Sequence, residues 1–96
     1  MPAPAERTTR AMTVRLLYFA WVRERAGLAQ ETVTLPPDVT TVAGVLAWLQ
    51  ARGPNYAAAF ERLEVIRAAV DQTHVPHTAS IAGAREIAFF PPVTGG

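Results

Sequence analysis

Thr40-Thr41-Val42-Ala43-Gly44-Val45-Leu46-Ala47-Trp48-Leu49 is the stretch on which the reading of this chain turns. Val42, Val45, Leu46 and Leu49 fall at i, i+3, i+4 and i+7, so on a helical period they form one apolar stripe. Thr40 or Thr41 can cap the start, since either hydroxyl can accept from an otherwise unpaired N–H of the first turn. Gly53 followed by Pro54 supplies the expected stop. Gly44 costs about 1 kcal/mol relative to alanine inside a helix, and its missing side chain predicts close packing on a sheet. A single amphipathic helix must cover an apolar surface, and the flanking segments have to provide it.

They do so as strands. Thr13-Val14-Arg15-Leu16-Leu17-Tyr18-Phe19-Ala20 is rich in β-branched and aromatic residues. Alternation puts Val14, Leu16 and Tyr18 on one face and Arg15, Leu17 and Phe19 on the other. Residues 22–29 carry charge and Gly27 and read as a connection. Glu31-Thr32-Val33-Thr34-Leu35 alternates polar and apolar like a half-buried edge strand, and Pro36-Pro37 ends it because neither proline can donate to a ladder. After the helix, residues 56–63 read as a short second helix or turn. Ile66-Arg67-Ala68-Ala69-Val70 is a third strand, with Asp71-Gln72 turning into Thr73-His74-Val75. Gly83 marks the turn before Glu86-Ile87-Ala88-Phe89-Phe90, the last strand. The order strand, strand, helix, then two or three strands predicts an α+β domain over residues 13–92. It matches the ubiquitin-like β-grasp: a mixed sheet of four to five strands packed on one main helix, with a short second helix.

Composition narrows the function classes. The chain has 96 residues, a net charge of +1 and half its residues hydrophobic. A domain of this size holds one modest core, not a deep cleft with its supporting shell. The near-neutral balance, with its basic residues scattered, argues against nucleic acid or a membrane surface as partner. The absence of cysteine excludes disulfides, a thiolate nucleophile and a thiolate metal site, and fits a cytoplasmic address. No stretch approaches the ~18 apolar residues of a membrane span. Residues 1–12 lack a signal-peptide h-region and read as a disordered leader, with Met12 as an alternative start.

The chemistry sits at the other end. The last strand runs into Pro91-Pro92 and closes on Gly95-Gly96. Prolines hold a chain extended, and so they project the residues beyond them away from the body. A glycine pair adds no bulk, so residues 93–96 read as a flexible tail able to thread a narrow channel in a partner. Glycine-rich ends are common and usually frayed, yet a merely floppy end gains nothing from a rigid lead.

Ala88-Phe89-Phe90-Pro91-Pro92-Val93-Thr94-Gly95-Gly96 resembles the C-terminal signature of molybdopterin synthase small subunits. Phe19-Ala20-Trp21-Val22-Arg23-Glu24 and Ala69-Val70-Asp71-Gln72-Thr73-His74-Val75 agree with it, so the resemblance spans residues 13–96. Three places depart from the family pattern. Gly83-Ala84-Arg85-Glu86 stands where relatives often have an acidic Gly-Asp-Glu turn, Asp71 where asparagine is common, and His74 where an apolar residue is frequent. These changes bear on the partner surface, not on the tail.

The resemblance implies a sulfur carrier of molybdenum cofactor biosynthesis. Gly96 would be adenylated by a ubiquitin-activating-like adenylyltransferase that uses ATP, and a sulfur donor protein would displace AMP to leave a thiocarboxylate. A carboxylate resists attack, which is why its oxygen must first become a leaving group. Pro91, Pro92, Val93, Thr94 and Gly95 would thread the active site of the large subunit. There sulfur enters cyclic pyranopterin monophosphate (precursor Z), in a heterotetramer with two large subunits. The chain would be the sulfur-donating subunit of a transferase complex with no active site of its own, binding no cofactor and no metal. Phe19 and Phe90, expected side by side on the outer face, together with Arg23 and His74, are the candidate partner interface.

Other features read as structural. His74 and His77 have no carboxylate or thiol to complete a metal site, and Pro76 separates their geometry. No phosphate-cradling glycine loop is present, which assigns ATP to the partner. Glu61 and Glu64 read as solvated charge. All nine basic residues are arginine; a lysine-free carrier avoids attack on its own activated end, although the alanine- and arginine-rich composition also points to codon bias. The alternatives are a carrier for thiamine, cysteine or tRNA thiolation, or a ubiquitin-like protein modifier.

Overall fold

The computed structural model describes residues 12–92. The expectations for the leader before Met12, and for Val93, Thr94, Gly95 and Gly96, lie outside the described residues. Met12 itself opens the first strand, so the leader's boundary falls earlier than the sequence suggests.

Five strands form one sheet in the order β2-β1-β5-β3-β4. They are β1 (Met12–Tyr18), β2 (Gln30–Leu35), β3 (Arg67–Val70), β4 (Thr73–Val75) and β5 (Glu86–Phe90). The first and last strands run parallel in register, from Arg15 opposite Glu86 to Tyr18 opposite Phe89. On its other side β5 pairs antiparallel with β3, placing Arg67 opposite Phe90. β2 is an edge strand, as its alternation predicts. This is the arrangement expected of a β-grasp.

Three helices lie on the inner face: α1 (Ala20–Ala26), α2 (Val42–Gln50) and α3 (Pro54–Ala59), followed by a 3-10 turn at Leu63–Val65. Val42, Val45, Leu46 and Leu49 of α2 are fully buried against Val14, Leu16, Leu35, Ile87 and Phe89 of the sheet. Tyr18, Phe60 and Phe89 stack at the centre, with ring centroids 5.6–6.4 Å apart. Such offset and edge-on pairs add to the stabilisation from burial alone.

The start of α2 shows why its threonines matter. The Thr41 hydroxyl accepts from the Gly44 N–H at 3.1 Å, so Thr41 and not Thr40 is the cap. The Val42 and Ala43 N–H groups donate to the Ala79 and His77 carbonyls. The loop after β4 thus satisfies donors that the helix cannot satisfy internally. Gly44 does not approach the sheet as expected. A methyl there would meet Val39 and Thr41, in the segment leading into the helix.

Two other expectations are corrected. Residues 22–29 are not a plain connection, because α1 occupies Ala20–Ala26. Gly27 closes it in the left-handed region at φ 91, returning its N–H to the Arg23 carbonyl. And Gly53-Pro54 does not stop α2, which ends at Gln50. Gly53 instead precedes α3, with Pro54 in its first turn, where a missing N–H costs nothing.

The β3–β4 turn forms where the sequence puts it. Asp71 and Gln72 both have positive φ, 49° and 73°, the geometry of a two-residue hairpin with a primed turn. The Asp71 carboxylate also accepts from the Arg85 and Glu86 N–H groups at 3.0 and 3.1 Å. An asparagine oxygen would accept in the same way, so this departure from the family pattern keeps the contact.

Candidate functional site at the C-terminal end of the sheet

β5 delivers the chain to Pro91 and Pro92 from the middle of the sheet, with β1 on one side and β3 on the other. Strand alternation sends Ile87 and Phe89 inward, where they are fully buried, and Phe90 outward, where it is half-buried. Phe19 follows the last residue of β1. Its N–H donates to the Phe89 carbonyl at 3.2 Å, which continues the parallel ladder by one residue. That register sets Phe19 beside Phe90 on the outer face. Phe19 is 48% exposed, the one large hydrophobic side chain so exposed among the described residues.

The backbone turn that presents Phe19 is strained. Ala20 has φ 54, a left-handed conformation that costs a non-glycine residue about 1–2 kcal/mol. It is held because the Phe19 carbonyl accepts from the Val22 and Arg23 N–H groups at the head of α1. Arg23 is therefore one helical turn from Phe19, with an exposed side chain.

His74 completes the surface from the far strand. It faces Ala69 across the β3–β4 ladder, and its ring lies 5.2 Å from that of Phe90. Between them Ala69 and Ala88, both on the outer face, are screened from solvent by bulkier neighbours, at 7% and 9% exposure. The result is an apolar floor of Leu17, Ala69, Ala88, Phe19 and Phe90 with His74 at its border. Arg67, opposite Phe90 and exposed, is not singled out by the sequence; only its register reveals it. The structure brings Phe19, Phe90 and His74 to one face, with Arg23 at its margin.

His74 and His77 do not converge, since the His77 Nε2 is 2.7 Å from the Ile66 carbonyl instead. No group of three or more potential metal ligands exists among the described residues. Glu61 and Glu64 are exposed, and Glu64 pairs with Arg62 at 3.1 Å. A hollow of about 170 Å³ beside Met12, Val39 and Ile81 sits at the opposite end of the sheet from Phe90. It is smaller than the ~300–1,000 Å³ of ordinary ligand sites. No helix among the described residues is long and apolar enough to cross a membrane.

A polar hub that the sequence does not disclose braces the core behind this face. One Glu31 carboxylate oxygen accepts from the Tyr18 and Tyr56 hydroxyls at 2.8 and 2.7 Å, and the other from Arg52 at 3.2 Å. Arg52 in turn lies over the rings of Trp48 and Tyr56. Burial alone would raise the Glu31 pKa, but the Tyr56, Tyr18 and Arg52 bonds outweigh it and hold the carboxyl below its ordinary value. Burial and the adjoining carboxylate push both tyrosines up. A depressed folded-state pKa contributes stability above the unfolded value of 4.5, and that contribution fades as pH falls through the folded value. Glu31→Gln is therefore expected to cost about 1–3 kcal/mol at pH 7. It should also flatten the decline of Tm below pH 4.5; equal acid sensitivity in both proteins would refute this role.

With the geometry in place, the comparisons with known proteins decide the family. The ThiS family model matches residues 16–96, most of the chain. The chain belongs to the ThiS family. A curated relative, the molybdopterin synthase sulfur carrier subunit of Haemophilus influenzae, is 36% identical over 83 residues, covering 86% of this chain and 99% of that protein. Among solved structures, SAMP1 from Haloferax volcanii superposes with a TM-score of 0.65 at 24% identity, covering 88% of this chain and 100% of that one. Caldiarchaeum subterraneum ubiquitin superposes at 0.52 and 14% identity, covering 90% and 99%. These two likenesses establish the ubiquitin-like β-grasp fold for this ThiS-family chain.

Proposed function

We propose that this chain is the sulfur carrier small subunit of a molybdopterin synthase, and that Gly96 is the residue that carries sulfur. The observation that supports this most is the match to the Haemophilus influenzae subunit, which runs over nearly the whole of that protein. The terminal Phe-Pro-Pro-Val-Thr-Gly-Gly signature gives the match a chemical meaning.

In this reading the domain is a handle. An adenylyltransferase supplied with ATP converts the Gly96 carboxylate to an acyl-adenylate, and a sulfur donor displaces AMP to leave a thiocarboxylate. The large subunit then supplies the pocket in which sulfur passes to precursor Z, two carriers serving two large subunits. Residues 91–95 carry the loaded end inward. This chain contributes positioning, which alone can supply several kcal/mol of barrier reduction when the geometry is right. It binds neither ATP nor a metal, and its setting is the cytoplasm.

The outer face beside Phe90 is the docking surface for these partners. A half-exposed phenylalanine at the centre of a patch of small apolar residues has the character of an interface anchor. Phe19→Asp is expected to weaken association with the large subunit at least tenfold while moving Tm little, because Phe19 is outside the core. Titration calorimetry checks it, and unchanged affinity would remove Phe19 from the interface.

Intact-mass analysis tests the function itself. After incubation with a cognate adenylyltransferase, ATP and a sulfur donor, the chain should have exchanged one oxygen for sulfur. Large subunit and precursor Z should then discharge it. Discharge only into a thiamine, cysteine or tRNA pathway would reassign the carrier, and amide conjugates to other proteins would make it a modifier.

A further inference from the structure

We infer that no side chain of this domain can stably capture its own activated C-terminal acyl group, because arginine and not lysine stands at position 67, beside the root of the tail. The inference rests on the proposed activation of the tail and asks what surrounds it. An acyl-adenylate or thioester is attacked by any unprotonated amine or thiolate within reach. Acyl and nitrogen join, the AMP or thiol leaves, and the amine gives up a proton. The sequence holds neither lysine nor cysteine, so its side chains offer no amine and no thiol.

The fold shows where this matters. Arg67 is the cross-strand partner of Phe90, so its backbone lies about 5 Å from the root of the tail. Chain from Phe90 to Gly96 can extend at most ~20 Å, at 3.3–3.6 Å per residue, and so can fold back on this side chain. A lysine there would sit at an effective concentration of order millimolar relative to the activated end. Arginine keeps the positive charge but stays protonated to pH 12 and above, with no free electron pair to attack. His74, against Phe90, is the nearby nucleophile that remains. An acyl-imidazole hydrolyses, so capture there returns a free carboxylate and no adduct.

The α-amine lies outside the described residues, so the inference concerns side chains alone and the test blocks that amine. A consequence reaches beyond sulfur transfer. With no lysine in its sequence, this chain cannot be extended into lysine-linked chains of itself.

The experiment needs no activating enzyme, so it stands apart from the test of sulfur loading. The full chain, its N-terminus acetylated by a co-expressed N-acetyltransferase, is released from an intein as a C-terminal thioester and held at pH 9, where a lysine amine is partly unprotonated. Mass spectrometry follows the products. The parent should return only the free acid. Arg67→Lys should form an internal amide, one water lighter than the acid, at a rate independent of protein concentration and at least tenfold above any such product in the parent. Peptide mapping should place the new bond at residue 67. Two outcomes overturn the inference: cyclic or cross-linked product from the parent at a rate within twofold of the variant, or no internal amide from Arg67→Lys.

Discussion

Removing Gly96 alone is expected to abolish sulfur transfer while shifting Tm by no more than about 1 °C. The deletion moves the terminal carboxyl back by one residue, about 3.5 Å of extended chain. Reacting atoms must come within ~3–3.5 Å in productive alignment, and a misplacement of 1 Å already costs about a hundredfold. A full residue would therefore take the end out of reach of both the proposed loading site and the proposed accepting site. Stability is unaffected on the same geometry, because the buried set among the described residues ends at Phe89. Sulfur transfer is read by mass and Tm by calorimetry. A fall of several degrees would mean that the tail packs on its own domain, and that would end the carrier reading.

Phe60→Ala should have the opposite signature, collapsing stability with no direct effect on tail chemistry. Phe60 is fully buried, edge-on to Phe89 at 5.6 Å and tilted against Tyr18 at 6.1 Å. Truncating a buried phenylalanine costs about 3–5 kcal/mol, from lost transfer energy and the cavity left behind. Small domains have ~5–15 kcal/mol in all, so the variant should be partly unfolded near 37 °C. Urea denaturation checks the size. A loss under about 1 kcal/mol would show that the aromatic cluster closes over the gap.

Much of this architecture is legible because its strands are dense in β-branched and aromatic residues. Val14, Leu16 and Tyr18 point inward as alternation requires, and α2 buries the four residues of its stripe. The misreadings share one cause, which is that glycine and proline punctuate without saying what they end or begin. Gly27 reads as a loop residue, but it is the left-handed close of a seven-residue helix. Ala-Trp-Val-Arg-Glu-Arg-Ala is too short for a clear period, yet Val22 and Ala26, four apart and both buried, carry the signal. Gly53-Pro54 reads as the stop of one helix when it starts the next. Alternation and register also place Phe19 beside Phe90. The Glu31 hub is invisible in the sequence, because its partners Tyr18, Arg52 and Tyr56 come together only in the folded chain. Arg67 needs the β3–β5 pairing for the same reason.

The double-sided pairing of β5 has a mechanical corollary. A tug on the C-terminus, whether from a partner withdrawing the arm or from an unfolding motor, runs along the strand and shears two ladders together. Shear spreads the load over many bonds at once, where peeling an edge strand would break them singly. The tail is thus rooted in a strand held on both sides, and on the proposed reading it could be drawn from a narrow channel without the domain coming undone.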